Sequence, residues 1–313
     1  MGLTTLAGGA MPATIIMSEL QYRKVERKKA RVRLGLSGPA GSGKTLTALL
    51  IAYGITGDWS KIALIDSENE SADLYDQKYL PEYGLTVGEF NVIPLSAPYH
   101  PDRYIQSIDL CLKHGAEVII IDSITHEWNG VGGCLELHDV EVSKQRTQNG
   151  FTAWAKVTPL HQKFVDRILT APVHIITTVR SKSDYILTEK NGKQVPQKVG
   201  MAAQTREGFE YELTVSLDLD INHLALSSKD RTGLFADKPA FVPNVMTGKA
   251  IRDWCDLGVT ESIKRLPITD AMLDKAIERI VNGEHGIKEK VKSTYSLTDD
   301  QRKKLEEAKP KAA

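Results

Sequence analysis

Eight consecutive residues, Gly38-Pro39-Ala40-Gly41-Ser42-Gly43-Lys44-Thr45, fit the pattern G-x-x-x-x-G-K-[ST] without a mismatch. The pattern has a mechanism. Glycines let successive backbone N–H groups turn inward around phosphate oxygens. Lys44 then reaches the outer phosphates as a point charge, and Thr45 offers its hydroxyl to Mg2+. A helix starting here adds the positive end of its dipole. The stretch departs from the dinucleotide pattern G-x-G-x-x-G, which needs glycine where this chain has Leu46.

Two carboxylates are candidates to complete the chemistry. Lys61 to Ile65 reads as a buried strand running into Asp66-Ser67-Glu68-Asn69-Glu70. At such a strand tip Glu68 is placed to act as general base on water, or else belongs to an acidic surface turn. Glu117 to Ser123 holds four apolar residues and then Asp122, the pattern of a buried parallel strand with a carboxylate at its end. Lys44, Thr45 and Asp122 are the minimal hardware for a magnesium-bound nucleoside triphosphate. His126 and Glu127 follow closely and either orient water or finish the turn.

These side chains need a sheet and helices to hold them. Arg31 to Ser37 alternates, with Val32, Leu34 and Leu36 on one face, and predicts the strand before the loop. Leu46, Leu49, Leu50 and Tyr53 predict the helix after it. Further strands are expected at 90–95 and 173–178, and a helix at 101–114. Gly130 to Gly150 reads as a long loop with a short helical piece, and Phe151 to Val157 as a helical turn. Thr158 and Pro159 then look like the N-cap and first position of a helix with Leu160, Phe164, Val165, Ile168 and Leu169 buried. His161 falls off that stripe and is expected in solvent. Tyr185 to Val199 reads as a hairpin turning at Asn191-Gly192. Its Lys182, Lys190, Lys193 and Lys198, with Tyr185 and Arg206, make either a single-strand nucleic-acid surface or an ordinary solvated hairpin. Segments 213–219 and 223–228 are expected as an antiparallel edge, followed by the cations Lys229 and Arg231, and 247–257 as a helix.

Bulk composition narrows the classes. With 313 residues, 40 Lys plus Arg and 40 Asp plus Glu, net charge is zero and any anion-binding surface is a local patch. The basic run 18–33 reads as a solvated edge or a nucleic-acid contact. Cys111, Cys134 and Cys255 are scattered, with neither metal-ligand spacing nor an even count, which suits a reducing cytoplasm. No apolar run approaches a membrane span. Residues 1–17 read as a flexible leader with Met11 and Met17 as alternative starts. Residues 18–257 read as one catalytic domain, and 258–313 as a small helical extension with helices at 269–282 and 298–309. The fold class expected is α/β: a mostly parallel central sheet flanked by helices, with an antiparallel edge.

The loop 38–45, Ile65-Asp66-Ser67-Glu68, Ile121-Asp122-Ser123 and Lys229-Asp230-Arg231-Thr232-Gly233 stand in an order that resembles the RecA-like P-loop ATPase core. More closely, the chain resembles phage-encoded AAA-type ATP-binding proteins related to phage single-strand annealing ATPases. Gly35 to Pro39, Phe151 to His161, Arg180-Ser181-Lys182 and Ser228 to Phe235 carry that match, which spans Glu26 to Leu257. The resemblance implies ATP and Mg2+ at Gly38 to Thr45, with Asp122 beside the metal and Glu68 activating water. It places Thr178 and Arg180 where the family senses the γ-phosphate, usually with Gln. Lys229 and Arg231 match cations that complete a neighbour's site in a homo-oligomer. The segment 182–206 falls where such proteins keep a DNA-binding loop.

Three functions compete at this level. The first is an ATPase of phage recombination or replication acting on single-stranded DNA. The second is a nucleotide-gated binding module with negligible turnover. The third, a small-molecule phosphotransferase, needs an arginine-rich lid that the sequence does not display. No N-K-x-D signature favours GTP.

Overall fold

The computed structural model describes residues 22, 24–146, 149–190, 193–258, 266–284 and 286–309; for 183–190, 193–202, 266–267 and 293 only the backbone is described. The expected leader 1–17 and the Asn191-Gly192 turn lie outside the described residues.

In chain order the first elements are β1 (Arg33–Gly38), α1 (Lys44–Thr56), β2 (Ile62–Asp66), the two-residue pair β3 (Tyr79–Leu80) and β4 (Leu85–Thr86), β5 (Asn91–Pro94), α2 (Pro101–Lys113) and β6 (Val118–Asp122). There follow α3 (Thr125–Asn129), α4 (Cys134–Ser143), α5 (Gly150–Thr170), β7 (His174–Lys190) and β8 (Lys193–Ala203). The core closes with α6 (Phe209–Glu212), β9 (Val215–Leu219), β10 (Ala225–Asp230) and α7 (Val245–Asp256).

Seven strands run in the order β10-β9-β1-β7-β6-β2-β5, and the far half of β7 pairs with β8. All neighbours in the seven-strand row are parallel except β10 and β9. This is the expected mostly parallel α/β sheet with an antiparallel edge, consistent with a RecA-like P-loop fold. The strands alternate between two cores. Leu34, Leu36, Leu64, Val118 and Ile120 pack with α1 and α7, while Ile65, Ile119, Ile121 and Ile175 pack with α2 and α5.

Strand order matters for the site. β7 stands between the loop strand β1 and the carboxylate strand β6. Asp66 sits level with Asp122, Ile121 with Thr177, Leu36 with Thr178 and Gly38 with Arg180. The ends of β1, β2 and β6 and the middle of β7 therefore share one edge of the sheet, as ligand sites do in such folds.

Several expectations need correction. α1 buries more than the four apolar residues that marked it: residues 47–52 are all buried, because α7 covers the side turned away from the sheet. α5 does not begin at Pro159. It starts eight residues earlier than Thr158, capped by the Asn149 side chain accepting from Phe151 N at 2.9 Å, and carries Pro159 inside. Ala155, whose carbonyl loses its donor, and Pro159 itself are both exposed, so water can take the vacant place. Gly130 to Gly150 holds the ten-residue α4 rather than a mere helical piece.

Arg33 is not part of a solvated edge. It is 6 % exposed, and its guanidinium donates to the carbonyls of Val32, Val173, Leu169 and Ala171, the last two at the carboxyl end of α5. Burial, then neighbouring Arg31, pulls its pKa down to about 10.

The C-terminal segment has three helices where two are expected: α8 (Asp270–Val281), α9 (Ile287–Thr294) and α10 (Asp299–Glu307). The short strands β11 (Leu266–Pro267) and β12 (Tyr295–Ser296) pair in parallel. Leu273, Ile280, Val291 and Leu305 form a core of their own. Thr298 and Gln301 form a capping box at the start of α10.

Candidate active site

Gly41 and Gly43 both adopt φ +81°, which permits the inward turn of the loop amides that a side chain would oppose. Gly43 is the N-cap of α1. A Cβ on Gly43 would also come within 2.9 Å of His223 Nδ1, which contacts the Ser42 carbonyl at 3.0 Å. His223 thus packs against the loop from the turn between β9 and β10, a contact sequence reading missed.

Lys44 opens α1. Its ammonium donates to the carbonyls of Gly38 at 2.9 Å and Pro39 at 2.8 Å. Burial lowers its pKa, opposed by the charge of Asp122. Thr45 Oγ1 donates to Asp122 Oδ2 at 2.5 Å. The other carboxylate oxygen accepts from Thr178 Oγ1. Asp122 is 3 % exposed, and burial raises its pKa against the pull of these two hydroxyls. The peptide between Asp122 and Ser123 is cis.

Glu68 follows β2 by two residues. Asp66 fixes this turn by accepting from Glu68 N at 2.6 Å and Ala72 N at 2.9 Å. Burial pushes the Asp66 carboxyl upward. Glu68 Oε1 accepts from Ser123 Oγ at 2.8 Å and from Arg180 Nε at 2.8 Å, and its second oxygen accepts from Arg180 Nη2. Arg180 is itself placed by its backbone N–H donating to Thr125 Oγ1 at 2.9 Å. The two positions expected to sense the γ-phosphate therefore hold the two carboxylates: Thr178 holds Asp122 and Arg180 holds Glu68. Ser67 Oγ meets His126 Nδ1 at 2.9 Å, and burial lowers the His126 pKa.

Ala40, Gly41, Gly43, Lys44, Thr45, Glu68, Tyr75, Asp122 and Arg180 line one cleft of about 520 Å3. The residues fit a magnesium-bound triphosphate. The loop carbonyls already hold a cation, the Lys44 ammonium. Ser42 Oγ is buried without a hydrogen-bond partner, and a hydroxyl and a carboxylate converge at the end of β6.

Other predicted residues lie elsewhere. Lys229 Nζ donates to the carbonyls of Glu210 at 3.1 Å and Tyr211, and Arg231 Nη2 donates to that of Tyr211 at 2.9 Å. Neither lines the phosphate cleft of its own chain. Lys182 is exposed and Arg206 is half-buried. The side chains of Tyr185, Lys190, Lys193 and Lys198 lie outside the described residues. His161 is not in solvent: it is 4 % exposed, with Nδ1 3.1 Å from both carboxylate oxygens of Glu127. It stands on the buried face itself, at helical spacing with Val157, Phe164, Val165 and Ile168.

Fold and site together define a P-loop nucleotide-binding protein of the RecA-like type. The family model described as "AAA domain" matches residues 30–243, well over half of the chain, so the chain belongs to that AAA-domain family. A search of curated proteins finds no match. Membership points to nucleotide binding and ATPase activity. No helix among the described residues is long and apolar enough to cross a membrane.

Proposed function

We propose that the chain is a magnesium-dependent ATPase of phage-type recombination or replication, acting on single-stranded DNA as a cytoplasmic homo-oligomer. The observation that carries the reading is the convergence of Lys44, Thr45, Glu68 and Asp122 on one cleft. When bound, magnesium-ATP supplies the reactive phosphate and the cation that neutralises its charge. Gly38 and Ala40 to Lys44 offer backbone N–H groups, and the Lys44 ammonium would exchange its loop carbonyls for phosphate oxygens. Thr45 and Asp122, already paired through the Thr45 hydroxyl, would hold the metal. Glu68 is the carboxylate free of the Thr45–Asp122 pair and takes the proton of water.

The case for DNA rests on position. β7 and β8 extend as an antiparallel ribbon beyond the sheet edge that carries the cleft. Turnover measured with and without single strands, over a range of protein concentration, tests the reading. Stimulation with salt-sensitive binding is expected; absence of both removes the DNA partner. Lys44→Ala is expected to lower nucleotide affinity by about 30-fold or more, on the order of 2 kcal/mol for a lost charge-assisted contact. Unchanged retention of labelled nucleotide would overturn the cleft assignment itself.

A second reading has its own observation. Arg180 and Ser123 occupy Glu68, as they would in a nucleotide-gated module with negligible turnover. Nucleotide binding with background turnover, whether or not DNA is present, would select it.

A further inference from the structure

Three helices that follow the carboxyl end of β6 converge on a second group of side chains that the nucleotide reading leaves without a role. Glu127 lies in α3, Cys134 is the first residue of α4 and His161 sits in the middle of α5. All three are buried, at 0 %, 0 % and 4 % exposure. Cys134 Sγ is 3.2 Å from Glu127 Oε1, and His161 Nδ1 is 3.1 Å from each Glu127 oxygen. The three ligand atoms all lie within 4.8 Å of one another, the one such group among the described residues. In sequence they are far from any metal-ligand spacing. The fold assembles them.

We propose that Glu127, Cys134 and His161 form a zinc site. Thiolate, imidazole and carboxylate are the donor types zinc takes, and a dry pocket excludes the harder, oxygen-loving cations. Tetrahedral zinc sets neighbouring N, O and S donors roughly 3.4–3.6 Å apart, so the carboxylate already stands within about half an ångström of its place towards both partners. An Nδ1 proton facing both oxygens serves each only as one arm of a three-centre bond, whereas a cation between the ring and the carboxylate is held by both groups. Charge balances as well. Binding releases the Cys134 thiol proton, and one thiolate, one carboxylate and a neutral imidazole leave zinc with a net charge of zero, tolerable in the interior.

The surroundings are built to hold this geometry. Trp128 stands edge-on to the His161 ring at 5.4 Å and stacks on Trp154 at 5.5 Å. The loop between α3 and α4 turns tightly enough to bring Cys134 back over Glu127. A Cβ on Gly133 would come within 2.7 Å of the carbonyls of both His126 and Glu127. The second Glu127 oxygen is left to fill the fourth position. Zinc here ties α3, which starts three residues after Asp122, to α4 and α5.

The test is elemental analysis of the full chain purified without chelator, followed by Co2+ substitution of the apo form. About one zinc per chain is expected, with a thiolate-to-cobalt charge-transfer band on substitution. Cys134→Ser should remove the band and weaken zinc binding by at least about 100-fold; His161→Asn should weaken it comparably while leaving the thiolate. If the wild type is isolated without zinc but gives the band on adding Co2+, and Cys134→Ser does not, the site stands. A wild type that holds no zinc and gives no band overturns it. So does a folded Cys134→Ser that binds zinc with unchanged stoichiometry and affinity.

Discussion

Glu68 is the residue on which turnover and binding separate. It touches Arg180 and Ser123 but neither Lys44 nor Thr45, the residues that would hold phosphate and metal. Glu68→Gln keeps the shape and the acceptor oxygen while removing the base. Turnover is expected to fall about 10^2- to 10^4-fold, the usual worth of a general base. Nucleotide affinity, read by calorimetry, should stay within a few-fold, and an equal loss of both would refute the role. The loop 38–45 was legible because a phosphate cradle must be built from consecutive amides, so the whole device lies in one stretch of sequence. Asp66, Glu68 and Asp122 were legible as ends of apolar strands. Their partners were not. Thr178 meets Asp122 and Arg180 meets Glu68 only because β7 stands between β1 and β6, and no local spacing encodes that order. Glu127, Cys134 and His161 were hidden for the same reason.

Element by element, burial follows the cover rather than the local pattern. α1 and α7 approach until glycine faces glycine. A Cβ on Gly248 would lie 2.1 Å from the Ile51 carbonyl and 2.8 Å from Gly54 Cα, so no methyl fits without moving a helix that starts in the phosphate loop. Gly248→Ala is expected to destabilise by about 3 kcal/mol or more, at the upper end for overpacking, with nucleotide binding weakened as α1 shifts. An unchanged melting temperature would mean the helices are further apart than described. β7 carries a pH-sensitive start. His174 Nδ1 accepts from Val32 N at 3.2 Å, which only the neutral ring can do. Burial, then the charges of Arg31 and Arg33, lowers its pKa to about 4, with Asp256 pulling weakly the other way. The unfolded chain, titrating near about 6.5, then binds more protons across the window from 6.5 to 4. The stabilisation is complete above that window and is lost as pH falls through it, by about 3 kcal/mol at most. Denaturant melts of His174→Gln should lose correspondingly less stability between pH 7 and pH 4.5 than the wild type. Sequence patterns showed the strands well because parallel strands buried on both faces are continuous apolar runs. They misplaced the start of α5, since Pro159 is a good first helical residue wherever the preceding turn is not also helical, and here Asn149 had already capped the helix.

At the scale of the whole molecule, the open question is what Lys229 and Arg231 do outside their own cleft. Both are anchored on the Tyr211 carbonyl at the antiparallel edge, with Asp230 fixing the turn between and beyond them by accepting from Thr232 N at 2.6 Å and Phe235 N at 2.7 Å. A cation held so firmly at a sheet edge is pre-organised for an anion that arrives from elsewhere. If that anion is the triphosphate of a neighbouring subunit, each working site needs Glu68 from one chain and Arg231 from the next. Glu68→Gln and Arg231→Ala would each be inactive alone, for different reasons. Mixed in equal amounts, they should recover up to about a quarter of wild-type turnover, since that share of interfaces unites the two intact residues in a head-to-tail assembly. Turnover should also rise more steeply than linearly with total protein until assembly is complete. A mixture as silent as its components, at concentrations where wild-type turnover has become linear in protein, would place Lys229 and Arg231 in the architecture of the β9–β10 edge and leave the site entirely within one chain.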